Sequence, residues 1–284
     1  MNKFSYSIKD LKNLIPQRSE NSNKGACGRV LIIGGSPCMS GAPYFSAKAA
    51  YRTGCGLVEV FTHEDNRVIL QTLIPEAVLS TWIEKIDFER LENSIKKADV
   101  IAIGMGLSTS KDALKILEFT LQKRQCPIVI DADALNLIAK NKELFKQFNQ
   151  DTIITPHPLE MSRISNIEVA KITKNIPEFA QNFANENNVI CVLKDHHTAV
   201  ANPNAKNIYI NQSGNSGMST GGSGDVLDGI IAGLLAQGCE PYISATLGVY
   251  IHGLAGDIAS KKLSEYSVMA SDIIDALPEV FNSL

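Results

Sequence analysis

Gly214-Asn215-Ser216-Gly217-Met218-Ser219-Thr220-Gly221-Gly222-Ser223-Gly224-Asp225 runs without a break into Val226-Leu227-Asp228-Gly229-Ile230-Ile231-Ala232-Gly233. Five of the first twelve residues are glycine, so a side-chain-poor loop feeds directly into an apolar helix. The free N–H groups of the loop and the positive end of the helix dipole then face one point, which favours a phosphate there. Asp225 sits at that junction, where electrostatics alone argues against a carboxylate. Its placement makes sense as a base, taking a proton from a hydroxyl that attacks a bound phosphoryl group. Aspartate is also a favoured helix cap. Five glycines ahead of a clean helix favour the base.

Working outward, strand-like runs alternate with helix-like ones. Arg29–Ile33 is a β-rich run ending in Gly34-Gly35-Ser36, and the small, apolar Ala42–Tyr51 reads as a helix. Leu57–Thr62 and Val100–Ile103 read as strands, the second ended by Gly104-Met105-Gly106. Lys111–Gln122 has helical periodicity, with Leu114, Leu117 and Leu121 on one side. Ile128–Ile130 and Thr152–Thr155 are short strands, and Leu193 closes another. Thr198–Ala201 and Ile208–Asn211 flank the turn signal Asn202-Pro203-Asn204, as a hairpin does. Helices are predicted at Val226–Gln237, Pro241–Ile258 and Ser271–Leu277. Continuous Val/Ile/Leu strands separated by helices predict an α/β fold with a mostly parallel sheet covered on both faces. No linker, repeat or low-complexity block interrupts this order, so residues 1–284 read as a single domain with 1–23 as an extension packed on it.

In open α/β sheets, ligands collect at the carboxyl ends of the strands. Five loops directly follow predicted strands: Gly34–Ser36, Gly104–Gly106, Asp131-Ala132-Asp133, Thr155-Pro156-His157-Pro158 and Lys194-Asp195-His196-His197-Thr198. Five such loops on one edge describe a site. Neither a GxGxxG dinucleotide fingerprint after the first strand nor a GxxxxGK[ST] phosphate loop is present, which argues against a Rossmann cofactor site.

Composition narrows the function further. A chain of 284 residues that is 44% hydrophobic and 20% charged is an ordinary globular protein able to bury a large core. A net charge of −3 gives no reason to expect nucleic acid as a partner. The six cysteines form no CxxC pair, and several sit in apolar runs such as Val189-Ile190-Cys191-Val192-Leu193, a pattern of reduced, buried thiols. The N-terminus lacks an apolar stretch of signal-peptide length and no segment reads as a membrane span, so a cytoplasmic location is expected.

Read together, these loops resemble the ADP/ATP-dependent NAD(P)H-hydrate dehydratases of the ribokinase-like superfamily. The matching residues are Lys24-Gly25 with Gly28; Gly34–Ser36 with Ser40-Gly41-Ala42; Arg52-Thr53-Gly54-Cys55-Gly56-Leu57-Val58; Asp131-Ala132-Asp133-Ala134-Leu135-Asn136; Thr155-Pro156-His157-Pro158-Leu159-Glu160; and Gly221 through Asp225. They extend from about Lys24 to Leu277, which corresponds to the dehydratase alone, and the epimerase domain fused to some relatives is not expected. The resemblance implies a three-layer α/β/α sandwich and a repair reaction on NADH and NADPH that carry a hydroxyl at C6 of the reduced ring (NADHX, NADPHX). ADP, or ATP, phosphorylates that hydroxyl, phosphate leaves, and the cofactor is restored while ADP becomes AMP. By position, Ala42, Gly106, His157 and Asp225 would contact the hydrate, with Asp225 as base. Lys194, Asp195, His196, His197 and Thr198 would hold the adenine nucleotide, with Gly221, Gly222, Ser223 and Gly224 at its phosphates. The resemblance also implies Mg²⁺, a homotetramer and a separate epimerase working on the same metabolites.

Each of these residues has a plainer reading. His157, between two prolines, fits a structural turn; Gly106 can serve a positive φ; Gly41-Ala42 can serve packing. Asp131 and Asp133 look like a metal-binding carboxylate pair, but such pairs also cap helices, and no metal ligand is assigned. A small-alcohol kinase of the hydroxyethylthiazole kinase type would use the same anion loop and base. Thr155–Glu160 and Asp131–Asn136 match the dehydratases better. Two positions depart from the family pattern: Asp195 stands where Gly is usual, a residue that tolerates a left-handed backbone less well than Gly and whose charge weakens nucleotide binding if it points inward. Ser223 stands where Thr is usual and keeps the hydroxyl.

Overall fold

Within Arg29–Ile33 the side chains divide by parity: Val30 and Ile32 enter one apolar layer, Leu31 and Ile33 the other. That alternation is the period of a strand buried on both faces. The computed structural model describes residues 2–283. Its strands are β1 (Asn2–Phe4), β2 (Arg29–Ile33), β3 (Leu57–His63), β4 (Val78–Trp82), β5 (Val100–Ile103), β6 (Ile128–Ile130), β7 (Thr152–Ile154), β8 (Ile190–Leu193), β9 (Ala199–Ala201) and β10 (Asn207–Ile210). All belong to one sheet in the order β1-β10-β9-β8-β7-β6-β5-β2-β3-β4. Only β9 runs against its neighbours.

Helices cover both faces. On one lie α1 (Ile8–Leu14), α2 (Gly41–Thr53) and α3 (Arg67–Leu73). On the other lie α4 (Phe88–Lys97), α5 (Lys111–Lys123), α6 (Ala132–Lys140), α7 (Pro158–Ser165), α8 (Val169–Ile172) and α9 (Ile176–Asn187). α10 (Ser223–Ala236), α11 (Pro241–Leu263) and α12 (Ala270–Asn282) return to the first face. The result is a three-layer α/β/α sandwich. α10 packs directly on α2: a Cβ on Gly229 would stand 2.2 Å from the Ser46 carbonyl oxygen, so the helices meet backbone to backbone.

The N-terminal segment is part of this core. β1 pairs with β10, Leu11 is fully buried, and Tyr6 Oη lies 3.0 Å from Thr246 Oγ1. Two expectations change. The helix expected from Val226 starts at Ser223, which places Asp225 inside its first turn. The cysteines are all free, but Cys38 is exposed rather than buried, because it lies in the β2–α2 loop instead of an apolar run. No helix among the described residues is long and apolar enough to cross a membrane.

The chain adds β3 and β4 on one side of β2, and β5 to β8 in turn on the other. The sheet therefore has its topological switch point between β2 and β5, where the strand ends leave a crevice. Gly34–Ser36 leaves β2 and Gly104–Gly106 leaves β5 at that point, and Gly35 and Ser36 donate their N–H groups to the carbonyls of Met105 and Gly106.

Candidate active site

The five loops predicted from the strand ends do converge. Lys194, first after β8, reaches under the β7 loop to Asp131, first after β6. Its Nζ lies 3.0 and 2.8 Å from the two Asp131 carboxylate oxygens, while its own N–H donates to the Pro156 carbonyl. Asp133 reaches the other way, accepting the Ser108 N–H at 2.8 Å and holding the loop after β5. The Asp131–Asp133 pair therefore serves two different contacts and is not a shared metal clamp.

Asp225 is the third residue of α10. The cap is Gly222, which makes no side-chain cap, so the capping role weighed for Asp225 falls to a residue that lacks a side chain. Gly222 takes φ +90°, and a Cβ there would stand 2.6 Å from the Phe45 ring, so glycine is required on both counts. Ser46 Oγ on α2 donates to the Asp225 carbonyl at 2.8 Å and fixes the turn that carries the carboxylate. Burial, and then the charge of Asp131, push the Asp225 carboxyl up to about 7, against the counter-pull of Lys194. A base with that pKa is poised for proton transfer near neutrality.

Two further carboxyls complete the cluster. Glu160 on α7 is likewise raised to about 7 by burial and Asp131. Asp228, fully buried one turn beyond Asp225, accepts from Thr155 Oγ1 at 2.9 Å. Burial and Asp131 hold its pKa well above the usual carboxylate range. Lys194 is the cation among these groups: burial works against its charge, but Asp131, Asp228 and Glu160 outweigh it and hold its pKa above that of an ordinary lysine.

His157 combines both readings weighed for it. Its Nδ1 accepts the N–H groups of Leu159 and Glu160 at 3.1 and 3.2 Å, so it caps α7. That places the neutral ring's proton on Nε2, which lies 3.4 Å from Glu160 Oε1 on a side chain 45% exposed. Burial, followed by the charge of Lys194, lowers its pKa and keeps the ring neutral.

A cavity of about 810 Å³ opens beside this cluster. Its walls are the Lys194–Thr198 loop with His157, the Asn211–Thr220 segment, Ser223 and Gly224 of α10, and α11 at His252. All five residues of the Lys194–Thr198 loop, with His157, Ser223 and Gly224, therefore share one cavity. Gly221, Gly222 and Asp225 are not among its lining residues, nor are Ala42 and Gly106, which adjoin each other instead: a Cβ on Gly106 would stand 3.2 Å from that of Ala42. Asp195 keeps an ordinary backbone, not a left-handed one. Its carboxylate turns onto its own loop, accepting the His196 N–H at 2.8 Å.

Asp228 and His252 escaped the sequence reading. Asp228 interrupts the apolar run 226–233 and His252 the run 247–255, the one available signal, but nothing local says what either faces.

A family model described as NAD(P)H-hydrate dehydratase matches residues 30–279. The chain belongs to that family. An ADP-dependent (S)-NAD(P)H-hydrate dehydratase of Lactococcus lactis is 34% identical, covering 94% of each chain. A ribokinase-like superfamily protein of Enterococcus faecalis shares the fold with a TM-score of 0.87 and 32% identity, covering 99% of this chain and 96% of its own. The ADP/ATP-dependent NAD(P)H-hydrate dehydratase of Bacillus subtilis, co-crystallised with ATP/Mg²⁺, superposes with a TM-score of 0.85 at 28% identity, covering 98% of this chain and 97% of its own. Other relatives are bifunctional NAD(P)H-hydrate repair enzymes, of whose length the chain spans about half (53%). Family membership decides against the small-alcohol kinase. Among the described residues no three His, Cys, Asp or Glu side chains are grouped to hold a metal.

Proposed function

We propose that this chain dehydrates the S-epimer of NADH and NADPH hydrate at the expense of ADP, which becomes AMP. The observation that carries the reading is the half-buried carboxyl of Asp225, its pKa raised, in the first turn of α10, where the glycine-rich loop and the Lys194–Asp131 pair meet. Asp225 takes the proton of the C6 hydroxyl. The hydroxyl oxygen bonds to the β-phosphorus of ADP as the bond to the AMP oxygen breaks. The lone pair of the ring nitrogen expels phosphate, and loss of a C5 proton to water restores the C5=C6 double bond. Mg²⁺, when bound, neutralises charge on the nucleotide phosphates.

In this reading Ala42, Gly106 and His157 face the hydrate, and His157 Nε2–H, beside Glu160 Oε1, is the donor offered to one of its oxygens. Lys194–Thr198 and Gly221–Gly224 hold ADP; the supporting observation is the cavity beside α10, which the Lys194–Thr198 loop, Ser223 and Gly224 line. A cytoplasmic homotetramer paired with a separate epimerase completes the assignment. The test is recovery of the reduced-nicotinamide absorbance from purified (S)-NADPH hydrate and Mg²⁺ with ADP, with ATP and with neither. Recovery with ADP is expected; no recovery with either nucleotide overturns the assignment.

A further inference from the structure

His252 lies in Tyr250-Ile251-His252-Gly253-Leu254-Ala255-Gly256-Asp257 of α11, a segment with no role in the reaction above. One face of this segment carries the cavity wall from Ser213 to Ser223. Ser213 Oγ donates to the Tyr250 carbonyl at 3.0 Å, and a Cβ on Gly253 would stand 2.2 Å from that hydroxyl oxygen. Asp257 accepts from the Gly214 N–H and from Asn215 Nδ2, both at 2.9 Å. A Cβ on Gly256 would stand 2.2 Å from Met218 Sδ. His252 ends the series: its Nε2 is 3.3 Å from Oγ of Ser223, the first residue of α10, and both line the cavity.

We infer that His252 is a positioning residue that donates Nε2–H to Ser223 Oγ and thereby directs the Ser223 hydroxyl hydrogen toward the phosphoryl group to be transferred. An anion at the start of α10 needs donors, and a serine hydroxyl has one hydrogen. If imidazole took that hydrogen, only lone pairs would face the phosphate; if imidazole donates, the hydrogen is free. Burial, and then the charge of Lys194, push His252 down to about 4, so the ring is neutral and has a single N–H to place. The inference rests on the dehydratase reading and adds a specificity to it. The hydroxyl reads the β-phosphate of ADP, which AMP lacks.

Calorimetric titration of ADP and of AMP, each with Mg²⁺, into wild type, Ser223→Ala, His252→Ala, His252→Gln and the Ser223→Ala/His252→Ala double variant tests this. His252→Ala and Ser223→Ala are each expected to weaken ADP about tenfold, the scale of one hydrogen bond to a charged group, and to leave AMP unchanged. The double variant is expected to be no weaker than Ser223→Ala, because the histidine acts through the serine. His252→Gln, whose amide N–H reaches the same point, is expected to restore most of the loss and guards against a folding defect. Parallel losses for ADP and AMP, or losses that multiply in the double variant, overturn the inference. A wild-type chain that binds no ADP overturns the dehydratase reading and the inference together; one that binds ADP no better than His252→Ala overturns the inference alone.

Discussion

Lys194 and Asp131, 63 positions apart in sequence, form a two-pronged ion pair that spans the end of β7 and ties the ends of β6 and β8 together. Asp131 is 3% exposed, and Lys194 is the cation that faces it. Lys194→Met strands a buried carboxylate beside Asp228 and Glu160 and is expected to cost about 3–5 kcal/mol of stability, the scale for breaking a buried pair. The Lys194→Met/Asp131→Asn double variant regains most of that without regaining nucleotide binding. Denaturant unfolding of wild type and the two variants checks it: a single variant as stable as wild type contradicts the pairing.

Asp225→Asn is expected to lower kcat by about 10²–10⁴, the usual contribution of a positioned base. Its effect on stability is opposite in sign. A carboxyl whose folded pKa is raised is protonated in both states below its unfolded value and costs nothing there. Above its folded value, about 7, the whole penalty of ionising a buried acid falls on the native state. Asp225→Asn is therefore more stable than wild type at about pH 8, by about 1–3 kcal/mol, and equal to it at about pH 4. Equal melting temperatures at both pH values would contradict the raised pKa.

Because the base works ionised, wild-type kcat is expected to rise with pH through about 7 and then level off. A kcat that falls across that range would remove Asp225 from the role of base.

Gly106 has φ +61°, and a methyl group there would stand 3.0 Å from Met39 Cβ and 3.2 Å from Ala42 Cβ. Gly106→Val intrudes where the hydrate is proposed to lie, so KM for the hydrate rises at least tenfold while ADP affinity holds. Loss of both together would assign Gly106 to folding only.

His157→Asn keeps a helix cap but removes the Nε2 donor, whereas His157→Ala removes both. Only the alanine variant is expected to lose about 1 kcal/mol of stability. Both raise KM for the hydrate. An unchanged KM in His157→Asn leaves His157 a cap alone.

Where side chains alternate in one apolar run or a glycine ends it, the sequence sufficed: β2, β5, β6 and β8 match the expected runs, and the loops after β6 and β8 carry Asp131 and Lys194 to one edge. Short or polar elements were not legible. β1 is three residues, Asn2-Lys3-Phe4, with no periodicity, and it is a strand only because Asn207–Tyr209 offers it a register. β4, at the opposite edge, has the mixed run Val78–Trp82 and depends on β3 in the same way.

The sequence by itself determined the layers and the convergence of loops, because strand parity, helix periodicity and the carboxyl-end rule are local or nearly so. It also placed a glycine-rich loop directly ahead of Asp225. Only the tertiary structure decided the charge states and the division of labour. Asp131 faces Lys194 and Asp133 faces Ser108 because helix α6 turns them to opposite sides. The pKa values of Asp225 and Asp228 are raised by burial and by the charge of Asp131, which is distant in the chain.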